Sequence, residues 1–179
     1  MSPTPLNFVV LDVETTGLDP AAGHDVIEIA AQKIHGRDVV GEFVSLVKPA
    51  KPLPTDVADF HAKHGITQDL LNAEGKDPDA VVPELVSFIG PSVIVGHNVA
   101  FDLGFINEHL KRLGRPALTN QYIDTVEIAK RYLILASYKL SNVAAYLKVP
   151  QPSAHRALVD VITTREVFYK LIERAQGKK

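Results

Sequence analysis

Residues 8–17 read FVVLDVETTG, and this stretch indicates the fold of the whole chain. Its apolar, β-branched start is typical of a buried strand. Residues two apart on a strand point to the same face, so Asp12 and Glu14 lie side by side where the strand ends. Ligands of open α/β sheets bind beyond the carboxyl ends of strands. We therefore expect a site rich in carboxylates at this edge of a sheet.

The two carboxylates repel each other unless something neutralises them. At about 4 Å and an effective dielectric near 20, the repulsion is roughly 4 kcal/mol. A divalent cation bound between Asp12 and Glu14 would turn this repulsion into attraction. The plainer alternative is a strand that simply ends in solvent, with both acids as ordinary turn residues.

The apolar pattern along the rest of the chain predicts a mixed sheet. Strands are predicted at 8–13, 26–34, 39–47, 92–96 and 122–123, and helices at 78–89, 101–113 and 154–175, with further helices after residue 123. The turn residues at 35–38 predict a hairpin, and three prolines make 48–54 a loop. The order β-β-β-α-β-α-β-α-α-α indicates an α/β fold, a five-stranded mixed sheet with helices on both faces.

Two later segments contain further acids. Residues 95–102, VGHNVAFD, place Asp102 near a predicted helix start, where the helix dipole alone would favour an acid. Residues 153–160, SAHRALVD, contain His155 and Asp160, which would be about 140° apart within one helix. They can face one site only if His155 lies in or before the first turn of that helix.

Composition excludes several classes of function. The 179 residues suit one domain with a sizeable core. The chain has no cysteine, which excludes disulfides, thiolate nucleophiles and zinc ribbons. It has no apolar run of about 20 residues and no secretory signal pattern, so we expect a cytoplasmic protein that does not enter a membrane. The formal net charge of -2 and the lack of a basic stripe predict that few phosphates are contacted.

Together, the acidic segments resemble the DEDD exonuclease superfamily in its histidine-bearing branch. Within it, the chain is most similar to the proofreading epsilon subunits of bacterial DNA polymerase III and their stand-alone relatives. The shared motifs cover nearly the whole chain and occur in the expected order: FVVLDVETTGLDP, VIEIAAQK, HGIT, VGHNVAFDLGFI, YIDT, YKLS and AHRALVDV. The resemblance implies a ribonuclease H-like fold and a single exonuclease domain over residues 1–179.

The resemblance also implies a metal-dependent 3′→5′ exonuclease with defined residue roles. Two divalent cations would be held by Asp12, Glu14, Asp102 and Asp160. All-oxygen ligation suits Mg²⁺ or Mn²⁺ rather than zinc. His155 would accept the proton of the attacking water, because an imidazole titrates near about pH 6.5. The product would be a nucleoside 5′-monophosphate.

Further positions match family residues that lie against the substrate. They are Thr15 and Thr16, through backbone amides, together with His64, Asp59 and Phe101. Phe101 and Leu18 could stack on the terminal bases, although apolar residues more often belong to the core. Asp124 matches a recurrent family position, and we interpret it as a helix N-cap.

The expected substrate is the 3′ end of single-stranded nucleic acid, with DNA favoured and an RNA-trimming enzyme as the alternative. A DNA polymerase is a candidate partner. The sequence stops about five residues after its last predicted helix, without the family's polymerase-binding tail, which argues against proofreading within a holoenzyme unless the sequence is a fragment. The sequence carries no signal for an oligomeric state.

Two rival functions belong to other classes. Asp12-x-Glu14-x-Thr16 loosely imitates the start of haloacid-dehalogenase-like phosphatases, but that mechanism needs a second aspartate in place of Glu14. A non-catalytic nucleic-acid-binding module of the same fold is the other rival. Decayed enzymes usually lose a metal ligand, whereas all five matched residues are present here.

Overall fold

A computed structural model of the chain describes residues 7–62, 65–151 and 156–177. Its strands are β1 (Asn7–Thr15), β2 (Val26–His35), β3 (Asp38–Leu46), β4 (Val93–Gly96) and β5 (Tyr122–Asp124). They form a five-stranded sheet in the order β3-β2-β1-β4-β5. β1–β2 and β2–β3 pair antiparallel, whereas β1–β4 and β4–β5 pair parallel. The predicted hairpin and the mixed sheet are both confirmed.

The helices of the described ranges are α1 (Thr55–Ala62), α2 (Gln68–Glu74), α3 (Pro78–Ile89), α4 (Val99–Arg112), α5 (Thr125–Tyr132), α6 (Leu140–Tyr146) and α7 (Ala157–Ala175). A short 3-10 helix, Pro20–Ala22, follows β1. The predicted element order did not include α1, α2 or this short helix. α7 begins at Ala157, three residues later than predicted. Within the described ranges, no helix is both long and apolar enough to cross a bilayer.

Helices cover both faces of the sheet, as the sequence predicts. On one face, Leu11 of β1 packs with Leu85 of α3 and Ile106 of α4 in one buried cluster. On the other face, Val10 packs with Val161 and other residues of α7. A fully buried Leu or Ile side chain contributes about 1.5–3 kcal/mol. These two cores fix β1 between α4 and α7, the helices whose first turns carry Asp102 and Asp160.

Candidate metal centre and substrate pocket

Three carboxylates from distant parts of the chain meet at the end of β1. Asp12, Glu14 and Asp160 each offer an oxygen, and these oxygens all lie within 4.8 Å of one another. Asp12 and Glu14 alternate with Val13, so they share the face that Val10 turns toward α7. Asp160 lies in the first turn of α7. The structure therefore brings together three of the four predicted metal-binding acids.

The fourth acid, Asp102, adjoins this group on the other side of β1. Its side chain is 3% exposed, and its Oδ1 accepts a hydrogen bond of 2.9 Å from the amide of Val13. The β1–β4 ladder ends at the pair Val10–Val95, so the Val13 amide has no β4 partner there. The charge of Asp102 acts on Asp12 and raises the pKa of that carboxyl group.

The pKa values of Asp12, Glu14 and Asp102 lie well above their ordinary range. Burial, followed by the charges of Asp102 and Asp160, raises the pKa of Asp12 well above its usual value. Burial, followed by the charges of Asp160 and Glu28, raises the pKa of Glu14 to about 7. Burial raises the pKa of Asp102 to about 8, against the hydrogen bond from Val13. The site thus concentrates more negative charge than the protein alone accommodates at neutral pH.

The donor set fits a hard divalent cation. It consists of carboxylate oxygens, the ligands that Mg²⁺ and Mn²⁺ prefer, and the cluster found in the described ranges contains neither a thiolate nor an imidazole. Burial is the largest cause of the raised pKa values of Asp12, Glu14 and Asp102, and a bound cation would offset both the burial of their charges and their mutual repulsion.

A cavity of about 420 Å³ opens beside the acids. Its lining residues are Val13, Glu14, Thr15, Thr16, Gly17, Leu18, Asp56, Val57, Phe60, His61 and Phe101. Leu18 is 83% exposed, so this predicted stacking residue is not part of the core. Phe101 is half-buried and packs on Phe105, with ring centroids 5.0 Å apart. One polar end and exposed apolar walls suit a nucleotide, which has a phosphate and an apolar base face.

Hydrogen bonds hold the floor of the cavity. The hydroxyl of Thr15 donates to the carbonyl of Gly17 at 2.7 Å. Thr16 and Asp25 exchange two bonds of 2.8 Å, in which the amide of Thr16 donates to the Asp25 carbonyl. The Thr16 amide is therefore committed to Asp25, although the sequence suggested it as a contact to nucleotide.

The remaining predicted substrate residues differ in position. Asp59 is exposed on α1, and the cavity is lined instead by Asp56 and Phe60 of that helix. His64 and His155 both lie outside the described residues. By sequence, His155 stands two positions before the first residue of α7, which is where the spacing argument requires it.

His61 is a site residue that the sequence analysis missed. It is 3% exposed, and its Nε2 lies 3.0 Å from the carbonyl oxygen of Thr15. A carbonyl only accepts, so Nε2 carries the hydrogen and donates. Its Nδ1 is buried 3.9 Å from Glu14 Oε2 and has no hydrogen-bond partner among the described residues. Burial lowers the pKa of His61, and the imidazole ties α1 to the end of β1.

Glu28 and Arg156 were also missed. Glu28 is 1% exposed on β2 and accepts hydrogen bonds from Arg156 and from the amide of Ala157. A local signal was present, because Glu28 interrupts the apolar run at the start of β2, between Ile27 and Ile29. A charge that deep in a sheet requires a paired partner.

Comparisons with known proteins point in one direction. A family model with the description "Exonuclease" matches residues 9–168. The chain is 39% identical over 166 residues to DNA polymerase III PolC-type of Thermotoga maritima, covering 93% of this chain and 12% of that protein. It is 37% identical over 163 residues to the PolC-type protein of Clostridium perfringens, covering 90% and 11%. The chain thus spans only a small part of the length of these relatives.

Solved structures share the fold. E. coli Exonuclease I in complex with a dT13 oligonucleotide gives a TM-score of 0.81 at 24% identity, covering 97% of this chain and 42% of that one. Exonuclease X in complex with 5′ overhanging duplex DNA gives 0.70 at 22%, covering 94% and 93%. The predicted ribonuclease H-like fold is confirmed.

Proposed function

This chain belongs to the exonuclease family, a family of hydrolytic nucleases, and we propose that it removes nucleotides from the 3′ end of single-stranded nucleic acid, with DNA favoured. The products are nucleoside 5′-monophosphates. The observation that carries the proposal is the meeting of Asp12, Glu14 and Asp160 within 4.8 Å, at the mouth of a cavity that suits one nucleotide.

The acids act as ligands of two divalent cations, Mg²⁺ or Mn²⁺. Asp12, Glu14 and Asp160 converge from one side, and Asp102 is held against them by the Val13 amide. When bound, such cations make a bound water acidic and stabilise the leaving 3′ oxygen. The chain's part is to bring the four carboxylates together against their own repulsion, which burial strengthens.

His155 accepts the proton of the attacking water. Its motif position, immediately before the helix that carries Asp160, supports this role. An imidazole with a pKa of about 6.5 can accept a proton at neutral pH and release it to solvent.

The terminal nucleotide occupies the cavity beside the acids. Phe101 and Leu18 offer apolar surface to its base, while Thr15 and Thr16 form the floor beneath it. His64 and Asp59 are proposed substrate contacts on the strength of their motif positions alone. Phe60 is added from the structure, because it is 46% exposed and lines the same cavity.

A DNA polymerase is a proposed partner. The support is the likeness to PolC-type DNA polymerase III, in which the matching region is 12% of the protein of Thermotoga maritima. In that arrangement the chain would correct polymerase errors, and a cytoplasmic location would follow.

The test is digestion of three 5′-labelled substrates, single-stranded DNA, duplex DNA and RNA, with Mg²⁺, Mn²⁺ or a chelator. We expect a ladder shortening from the 3′ end of single-stranded DNA, mononucleotide products, and no cleavage in the chelator. The Asp12→Asn variant should lose both turnover and metal binding. Binding without release of mononucleotides would favour the non-catalytic module, and faster RNA digestion would favour the RNA-trimming alternative.

A further inference from the structure

Two glutamates face each other across the β1–β2 ladder at the acidic site. Glu14 of β1 is the register partner of Glu28 of β2, so both side chains lie on the face toward α7. Directly opposed like charges destabilise a strand pair. Burial makes this conflict worse, because Glu28 is 1% exposed.

Arg156 offsets this repulsion between the two glutamates by forming an ion pair with Glu28. Its Nε and Nη2 donate to Glu28 Oε1 at 2.9 and 2.6 Å, and Nε also reaches Oε2 at 3.1 Å. The amide of Ala157 donates to the same Oε2 at 2.9 Å. Both carboxylate oxygens are therefore engaged, and Glu28 is not among the clustered acids although Glu14 is its neighbour.

The same contacts fix the start of α7. Ala157 is the first residue of α7, so its amide has no partner within the helix. Glu28 accepts the hydrogen bond of this amide. The negative charge also lies at the favourable end of the helix dipole. The amide of Asp160 then donates to the carbonyl of Arg156 at 3.1 Å. A continuous set of bonds leads from β2 to the residue that completes the acidic cluster.

We propose that Glu28 and Arg156 act as a positioning clamp for the catalytic end of α7. The clamp holds Asp160 at the acidic cluster. Neither clamp residue belongs to the carboxylate cluster found in the described ranges. This inference rests on the proposed function, since it assigns the clamp to the same metal-dependent site.

A purely structural role is the competing explanation, and the chain offers a matched control for it. Arg165 of α7 donates from Nη1 to Gln32 Oε1 of β2 at 2.7 Å. This contact joins the same two elements and lies about 13 Å further along β2, at about 3.3 Å per residue. Breaking it weakens the docking of α7 without disturbing the start of the helix.

The experiment compares Arg156→Lys, Glu28→Gln and Arg165→Gln, with melting temperatures recorded for each. Arg156→Lys keeps the positive charge but loses the two-pronged geometry. We expect it to lower kcat on single-stranded DNA by about 10- to 100-fold with a smaller change in KM, the usual effect of removing a group that orients metal ligands. Glu28→Gln should behave alike, and Arg165→Gln should leave kcat close to that of the wild type.

Mn²⁺ binding, followed by electron paramagnetic resonance without substrate, gives a readout independent of turnover. We expect Arg156→Lys to weaken Mn²⁺ binding by about 10-fold or more, because Asp160 loses its fixed place. Arg165→Gln should bind Mn²⁺ as the wild type does.

Wild-type kcat and Mn²⁺ affinity in folded Arg156→Lys would overturn the clamp, as would an equal loss in Arg165→Gln. If Glu28→Gln fails to fold, Arg156→Lys carries the test. A wild-type protein that neither binds Mn²⁺ nor shortens DNA would instead refute the proposed function. The two failures are therefore distinguishable.

Discussion

At the scale of single residues, burial gives Glu14 and Asp102 an unusual dependence on pH. Their pKa values rise from ordinary values of 4.5 and 3.8 to about 7 and about 8. The folded protein therefore holds protons on these groups that the unfolded chain has already released. Between the pKa values of the unfolded and the folded state, the free energy of unfolding decreases as pH rises. The reason is that the folded state binds more protons than the unfolded chain.

A bound cation should cancel this loss, which gives the first prediction. With a chelator present, the titration of Glu14 and Asp102 should lower the melting temperature as the pH rises from about 5 to about 8. Added Mn²⁺ should raise it more at about pH 8 than at about pH 6, because ligands must be deprotonated to bind. Differential scanning fluorimetry over this range provides the measurement. If the rise in melting temperature caused by Mn²⁺ did not change with pH, the assignment of these acids as ligands would be contradicted.

His155 carries the second prediction. Its replacement by alanine should lower kcat by about 10²- to 10⁴-fold, the usual size of general-base catalysis. Single-turnover digestion of a labelled oligonucleotide measures the effect. His35→Ala is the control, since His35 lies at the far end of β2, where it contacts Asn7. Near-wild-type turnover of His155→Ala would remove the histidine from the mechanism.

The sequence identified the clustered acids because their chemistry is local. An i, i+2 pair on a strand and an acid in a first helical turn are visible in a short window. The Glu28–Arg156 pair joins residues that are 128 positions apart, so no local sequence pattern predicts it. His61 was missed for a related reason, since its hydrogen bond within the described ranges reaches back 46 residues to Thr15.

At the scale of elements, predictability followed the amount of buried apolar surface. The long strands were placed to within two residues, because β-branched runs mark them. The helix α3 was placed at its observed bounds, because it buries Val81, Val82, Leu85 and Ile89 at helical spacing. α1 buries only His61 and α2 only Leu71. Such helices have no apolar stripe to detect.

The junction of β4 and α4 carries the third prediction. A Cβ at Gly96 would lie 2.7 Å from Val99 Cγ2 and 3.3 Å from the carbonyl oxygen of Leu11. Gly96→Ala must therefore push the start of α4 away from β1 and displace Asp102. We expect a loss of stability of about 1–3 kcal/mol from overpacking, together with a fall in kcat. Urea unfolding and a digestion assay measure the two effects.

Gly104, which lies within α4, provides the control for Gly96→Ala. A Cβ there meets nothing within 4 Å, so Gly104→Ala should stabilise the protein by about 1 kcal/mol without changing kcat. A Gly96→Ala variant as stable and active as Gly104→Ala would show that the junction tolerates displacement.

At the scale of the whole molecule, charge limits how nucleic acid is held. The formal net charge of -2 leaves little attraction for a long phosphate backbone. We predict that binding of a short single-stranded oligonucleotide depends weakly on salt, with fewer than about six counterions released. Fluorescence anisotropy at several salt concentrations, with Ca²⁺ in place of the catalytic cation, gives the slope. A steeper slope would indicate an extended basic surface.

The order in which the acidic residues are synthesised has a consequence in the cell. Asp12 and Glu14 leave the ribosome first, whereas Asp160 arrives on α7 almost 150 residues later. A nascent chain therefore lacks one of the four proposed metal-binding acids until α7 has been made. The proposed hydrolysis begins only once α7 docks on the sheet and brings Asp160 to Asp12 and Glu14.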